Sequence, residues 1–167
     1  MGIEVAMQKI EEDMSHTDQE FHRKVAAECF NRTWDYLKQK NRSLDDDQMM
    51  LNLAHASRYH WSLIGKPWNF TAGDWQISRV YAALNQSDLA ISFAKKALEI
   101  SEKHNLSEGL IFVYEGMARA HAVAREYPLA REFVSKAREQ LRVVSLDDED
   151  RKIYSDQIDE TERMIPK

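Results

Sequence analysis

The chain has a single cysteine, Cys29, among its 167 residues. That excludes an intrachain disulfide framework and any cysteine-rich zinc site. Glycine and proline are scarce as well, five and three residues. A β-protein of many short strands needs more turn residues than that. Long apolar runs are missing, so no membrane span is expected. The first residues, Met1 to Asp13, mix acids with apolar side chains and do not read as a signal peptide. A long basic run is missing too. With a net charge of −5, a nucleic-acid partner is not expected, because phosphate backbones reward basic surfaces. The expectation is a cytoplasmic protein of one domain. Glycine-rich phosphate loops, Gly-x-Ser-x-Gly elbows and calcium-loop spacing are also lacking, which argues against the common catalytic motifs.

What is present is helical patterning. Hydrophobic residues are 43% and charged residues 31% of the chain, a composition that suits amphipathic helices with broad solvated faces. A short helix is expected over 2–13. Thr17 and Glu20 have capping-box spacing and predict a helix over about 18–40, with Phe21, Val25, Cys29, Trp34 and Leu37 on its apolar side. Ser43, followed by Asp45, Asp46 and Asp47, starts the next helix, which runs to about Ile64. Gly65 to Phe70 contains Pro67 and reads as the clearest break, with the following helix starting after Thr71. Further helices are expected over about 87–103, 109–125 and 128–143. Ser145 to Asp148 repeats the Ser43 start signal and opens a last helix, about 147–165. Six or seven helices joined by short connections should pack as antiparallel neighbours.

Two segments match each other. Leu89-Ala-x-x-Phe93-x-x-Lys96-Ala97 recurs as Leu129-Ala-x-x-Phe133-x-x-Lys136-Ala137, an offset of 40 residues. The same offset pairs Arg79 with Arg119, Ala82 with Ala122 and Glu99 with Glu139.

On these residues the chain resembles the tetratricopeptide repeat family. Tyr81, Ala90 and Ala97 keep the family's spacing of an aromatic and two small residues, as do His121, Ala130 and Ala137. Small residues let two helices cross closely, and the aromatic fills the space beside them. Trp75 stands one position late, Phe93 and Phe133 come three residues after the small residue rather than four, and Glu102 and Arg142 replace the closing proline. The 40-residue unit is also longer than the usual 34. The likeness covers about residues 71–142. It implies an all-α fold of antiparallel helix hairpins in a right-handed superhelix. Residues 18–64 would be a degenerate first pair, 71–104 and 109–143 the best repeats, and 147–165 a capping helix. The stretch His55 to Trp61 is also similar to small bacterial proteins of this repeat type.

In such an array the first helix of each pair lines the concave side. Trp75 and Arg79 are four apart on that face, and so are Glu115 and Arg119. An arginine grips carboxylate or phosphate with a planar fork, and a tryptophan supplies a flat apolar wall. These four residues are the expected binding site, against the alternative of an ordinary ion pair beside a core tryptophan. His55 and Arg58 are weighed either as an extension of the same groove or as solvent-facing, with solvent preferred. No metal and no cofactor are expected: His55 and His60 are five apart on different sides of one helix, and His121 occupies a packing position. Cys29, among apolar neighbours, reads as an inert thiol. Trp68 and Phe70 are expected to fold back onto the core. Exposed, they would form a patch for a partner or for a second copy, giving a homodimer.

The functional expectation is therefore a non-catalytic scaffold or adaptor that binds a protein or peptide. The alternatives are a regulatory domain for a small anion and, behind it, a metal-dependent helical-bundle enzyme using His55, His60 or His121.

Overall fold

The computed structural model describes residues 14–166. The helix expected over 2–13 lies outside them. Among the described residues the chain forms seven helices and no strand: α1 (His16–Leu37), α2 (Leu44–Ile64), α3 (Pro67–Ala83), α4 (Ser87–Lys103), α5 (Ser107–Val123), α6 (Tyr127–Val143) and α7 (Asp148–Glu162). Consecutive helices pack antiparallel as hairpins, as the short connections dictate.

The metric of the central four helices is regular. Each has 17 residues, and they start at Pro67, Ser87, Ser107 and Tyr127. One helix and its turn thus occupy 20 residues, and a hairpin occupies the 40 seen in the sequence. Three of the connecting turns contain a residue with positive φ: Asn85 at 56°, Asn105 at 52° and Arg125 at 61°. Those are left-handed positions that end one helix and re-aim the chain into the next.

The helix starts follow local chemistry. Ser43 caps α2 with a full capping box, donating its N–H to Asp46 while accepting from the Asp46 N–H. Three starts differ from expectation. Ser15, not Thr17, caps α1, accepting from the Asp18 N–H at 3.2 Å. Asp147 rather than Ser145 caps α7, accepting from the Asp150 N–H at 2.8 Å. Helix α3 begins at Pro67 rather than after Thr71, because proline at the first helical position lacks only an N–H that would be unpaired there. The Asn69 side chain accepts from the Lys66 N–H at 2.9 Å and secures that start. Trp68 and Phe70 are therefore helical. Trp68 packs edge-on against Phe112 but stays 38% exposed, and Phe70 lies under the Arg58 guanidinium.

The layering positions the site. Odd-numbered helices approach in sequence, α1 to α3, α3 to α5 and α5 to α7, whereas the backbones of the outer helices α2, α4 and α6 stay apart, and α2 meets α4 through the His55 and Phe93 rings. The stack is thus closed on the side of the odd helices. Helices α3 and α5 are the centre of the molecule and bury polar as well as apolar residues around their circumference. Outer helices α4 and α6 bury one narrow stripe each: Ala90, Ala94, Ala97 and Ser101 on α4, Ala130, Val134, Ala137 and Leu141 on α6. Small residues at those crossings let the pairs approach closely.

The repeat is visible in three dimensions. Tyr81 stacks on Phe93 with ring centroids 5.6 Å apart, and His121 stacks on Phe133 at 5.5 Å. A lysine covers the far face of each phenyl ring, Lys96 at 4.3 Å and Lys136 at 4.8 Å. The pattern that recurs at 40-residue spacing therefore marks one packing unit made twice.

Candidate functional site

Four of the expected site residues converge. Trp75 and Arg79 on α3 meet Glu115 and Arg119 on α5, the inner helices of adjacent hairpins. The convergence follows from the spacing. Residues four apart share a helix face, and the 40-residue repeat sets the two faces side by side.

Glu115 is the hub and is 1% exposed. Its Oε1 accepts from Arg79 Nη1 at 3.1 Å, Arg119 Nε at 2.9 Å and Thr161 Oγ1 at 2.5 Å. Its Oε2 accepts from the Trp75 indole N–H at 3.1 Å. Four donors fill the acceptor capacity of one carboxylate. Burial on its own would raise the Glu115 pKa, but the Arg119 and Arg79 charges and the Thr161 hydroxyl outweigh it, and the carboxyl is held below its ordinary value.

The arginines are 8% exposed each. Burial lowers the Arg79 pKa, while the charges of Glu115 and Glu160 outweigh burial at Arg119 and raise it; both guanidiniums remain cations. Arg79 Nη2 donates to Glu160 Oε2 on α7 at 2.7 Å, and its guanidinium lies 5.2 Å from the Trp34 ring centre. Arg119 Nη1 reaches the Met164 sulfur at 3.6 Å. Arg119 Nη2 forms an ion pair with the same Glu160 oxygen at 3.2 Å but has no hydrogen bond among the described residues. Two cations and two carboxylates make the cluster neutral overall.

Behind it runs an aromatic column through the inner helices. Phe30 and Trp34 of α1 lead to Trp75 of α3, then Phe112 of α5 and Tyr154 of α7, at centroid distances of 4.9 to 6.4 Å. In front of it lies a cleft of about 430 Å³, lined by Trp34, Leu37, Lys38, Ala82, Ala83 and Met164 with Arg79, Arg119 and Glu160. A larger cleft of about 950 Å³ lies between α6 and the end of α7. Of its three arginines, Arg131, Arg138 and Arg163, Arg138 already bonds Asp159 and Glu162, and none of the expected site residues lines it.

His55 and Arg58 are not part of this site, nor do they face solvent freely. They are half-buried between α2 and α3. His55 Nε2 lies 3.0 Å from the Tyr81 hydroxyl, and its ring meets Tyr81 and Phe93 edge-on. Arg58 Nε donates to Asp74 at 3.0 Å and its guanidinium covers Phe70. Their role is to join the first hairpin to the second. The histidines considered for a metal are likewise dispersed. His121 contacts Glu126 at 2.6 Å, and His60 Nδ1 faces His22 Nδ1 at 2.6 Å. Cys29 is half-buried, and burial pushes its thiol pKa up, away from the reactive thiolate.

Sequence reasoning missed Glu160 and Thr161, which arrive from α7, Met164 in the turn after it, and Trp34, Leu37 and Lys38, which close the cleft from the end of α1. The apolar side of α1 gave a signal for Trp34 and Leu37. Nothing local marks Glu160, one acid among seven in a helix of 15 residues.

Comparison with family models, with characterised proteins and with solved structures returns no match. The functional argument therefore rests on the site itself. Among the described residues no helix is long and apolar enough to cross a membrane.

Proposed function

We propose that this is a non-catalytic, cytoplasmic helical-repeat module of the tetratricopeptide type, which binds a protein or peptide partner through the Arg79–Arg119 cleft. The observation that carries the reading is the state of Arg119. Its Nη2 is buried at the floor of an open cleft without a hydrogen bond, where an unmade bond to a charged donor is costly. The apolar walls of Trp34, Leu37 and Met164 give a bound segment surface to bury, and the arginine pair gives it orientation. Nothing in the cluster resembles a nucleophile beside a base, so binding is favoured over catalysis.

The test is affinity capture from the native cell with the full chain and with Arg79→Lys and Arg119→Lys. Lysine keeps the charge that Glu115 requires and removes the planar fork. Capture of a discrete partner by the parent chain, weakened at least about tenfold in either variant with the fold retained by circular dichroism, supports the reading. Undiminished capture by both variants removes the site assignment.

A second reading is a regulatory domain for a small anion, favoured by the modest size of the cleft. At about 430 Å³ it falls at the low end of metabolite-sized pockets. A thermal-shift screen against metabolite anions separates the two, since a ligand bound only by the folded state raises the melting temperature.

A further inference from the structure

We propose that Glu160 is a resident stand-in for the partner's carboxylate, and that the partner presents an acidic side chain beside an apolar one, which takes Glu160's place on Arg79 and Arg119. The proposal rests on the partner-binding reading above and names the chemistry of that partner.

The two carboxylates of the cluster are unequal. Glu115 is enclosed, with four donors on its two oxygens. Glu160 has its side chain 53% exposed and meets both arginines through one oxygen, Oε2. Unlike Glu115 Oε1, which bonds both guanidiniums, this oxygen is placed to bond only one of them. It bonds Arg79 at 2.7 Å and leaves Arg119 Nη2 at 3.2 Å without a hydrogen bond. A carboxylate entering from the cleft has two oxygens to offer, one for each guanidinium. That arrangement completes the donor which Glu160 leaves unmet.

Exchange asks little of the fold. Glu160 stands at the lip of the cleft, and turning its side chain outward moves it into water without moving α7. The helix keeps its other anchors: Ile158 and Thr161 are fully buried, and Tyr154 donates to Glu108 at 2.8 Å.

Charge selects the incoming group. Arg79 and Arg119 carry two positive charges and Glu115 cancels one. With Glu160 turned away, the cluster is one charge positive, with Lys38 at the rim. An incoming anion restores the neutrality that Glu160 provides, and Glu160 itself shows that a carboxylate fits between the two guanidiniums. The apolar companion is read from the resident segment. Glu160 near the end of α7 and Met164 in the turn that follows both line the cleft, the acid on the arginines and the thioether beside Arg119. Trp34, Leu37, Ala82 and Ala83 complete an apolar wall for such a side chain.

The experiment uses the full chain with Glu160→Ala, and with Glu160→Gln as the variant that keeps the side-chain shape. The probes are hexanoate, a carboxylate on an apolar chain, and its amide, hexanamide. Millimolar hexanoate should raise the melting temperature of both variants by about 2–4 °C, and that of the parent chain by much less, because Glu160 competes there. Hexanamide should do neither. Equal effects of acid and amide, or variants that do not respond, overturn the proposal and make Glu160 a fixed structural partner. In the capture experiment, Glu160→Gln should bind the partner about tenfold more tightly than the parent chain. Loss of capture in the two lysine variants without a response to hexanoate sinks the Glu160 proposal alone. A response to hexanoate with capture unaffected by the lysine variants leaves the carboxylate site standing and removes the partner-binding reading.

Discussion

Arg79 and Arg119, 40 residues apart in sequence, donate to the same oxygen of Glu115, at 3.1 and 2.9 Å. The repeat has thus placed two equivalent cations against one acid, and Glu115 stands at the position equivalent to Trp75. The burial of this triad decides what its removal does. Glu115→Ala should destabilise the chain by about 3–5 kcal/mol, since it leaves two buried guanidiniums facing each other. Arg79→Ala or Arg119→Ala should also cost stability, because each strips a donor from a carboxylate that is 1% exposed. Urea unfolding of the three alanine variants checks this; values within about 0.5 kcal/mol of the parent would mean that the triad is solvated in solution.

The same carboxylate sets an acid limit. Glu115 has its folded pKa below the ordinary value of 4.5. Its stabilising contribution is therefore complete above the unfolded value and is lost as pH falls through the lower folded one. In the parent chain the unfolding free energy should drop as pH is lowered below about 4.5. The drop should be smaller in Glu115→Gln, measured by urea titration across that range.

Gly116 lies against Trp75. A Cβ at position 116 would come within 2.7 Å of Trp75 Cδ1, an indole fixed by its bond to Glu115. Glycine to alanine in mid-helix ordinarily stabilises by about 1 kcal/mol. Here overpacking costs about 1–3 kcal/mol, so the sign should reverse. At Gly73 the obstructing atom is Arg58 Cδ, also at 2.7 Å, in a long side chain that can bend aside. Gly116→Ala should therefore lower the melting temperature more than Gly73→Ala does, and the reverse order would place Trp75 elsewhere.

The parts of this structure that read directly from sequence are those set by short-range rules. The 40-residue repeat appears as two copies of one aromatic stack, Tyr81 on Phe93 and His121 on Phe133, because identical spacing on helices of equal length produces identical contacts. Trp75, Arg79, Glu115 and Arg119 could be grouped because i,i+4 spacing and the repeat offset together fix their positions. Their burial could not be read, because it depends on Glu160 and Thr161, 81 and 46 residues beyond the groups they touch. Acids on an acidic helix carry no local mark of which one turns inward. His55 and Arg58 were misplaced for a related reason. Their partners, Tyr81 and Asp74, lie across the α2–α3 crossing, whose angle no periodicity encodes.

Histidines join α1 to α2. His22 and His60 face each other with Nδ1 atoms 2.6 Å apart and ring centres 4.9 Å apart. This head-on arrangement holds one proton between the two nitrogens; a second would set two N–H groups against each other. Burial, then the His22 charge, hold the His60 pKa below its ordinary 6.5. His55 is lowered too, by burial and Lys96 acting against Asp74. A depressed histidine binds protons more readily when unfolded, so stability falls as pH drops below the unfolded value. The melting temperature should decrease from about pH 7.5 to about pH 5.5, and the decrease should shrink in His60→Gln and shrink further when His55→Gln is added. An unchanged pH profile in the double variant would assign the effect to other groups.

Arg125 occupies the left-handed position that asparagine fills in the two preceding turns. Its φ is 61°, against 56° at Asn85 and 52° at Asn105. For a residue with a Cβ and no short polar group this conformation costs about 1–2 kcal/mol, whereas asparagine tolerates it and glycine adopts it freely. The turn itself is the same in each case: the N–H of the next residue bonds back to the closing helix, Gln86 to Tyr81, Leu106 to Ser101 and Glu126 to His121, all at 2.9 Å. The backbone is therefore fixed by the repeat, and the side chain at 125 must accept it. Among the described residues no hydrogen bond or ion pair of the Arg125 side chain offsets the cost. Arg125→Asn or Arg125→Gly should stabilise the chain by about 0.5–1 kcal/mol, and Asn105→Ala should destabilise it by a similar amount. Denaturant midpoints for the three variants check both signs. Stabilisation confined to Arg125→Gly would show that backbone freedom alone, and not the asparagine side chain, is what the turn requires.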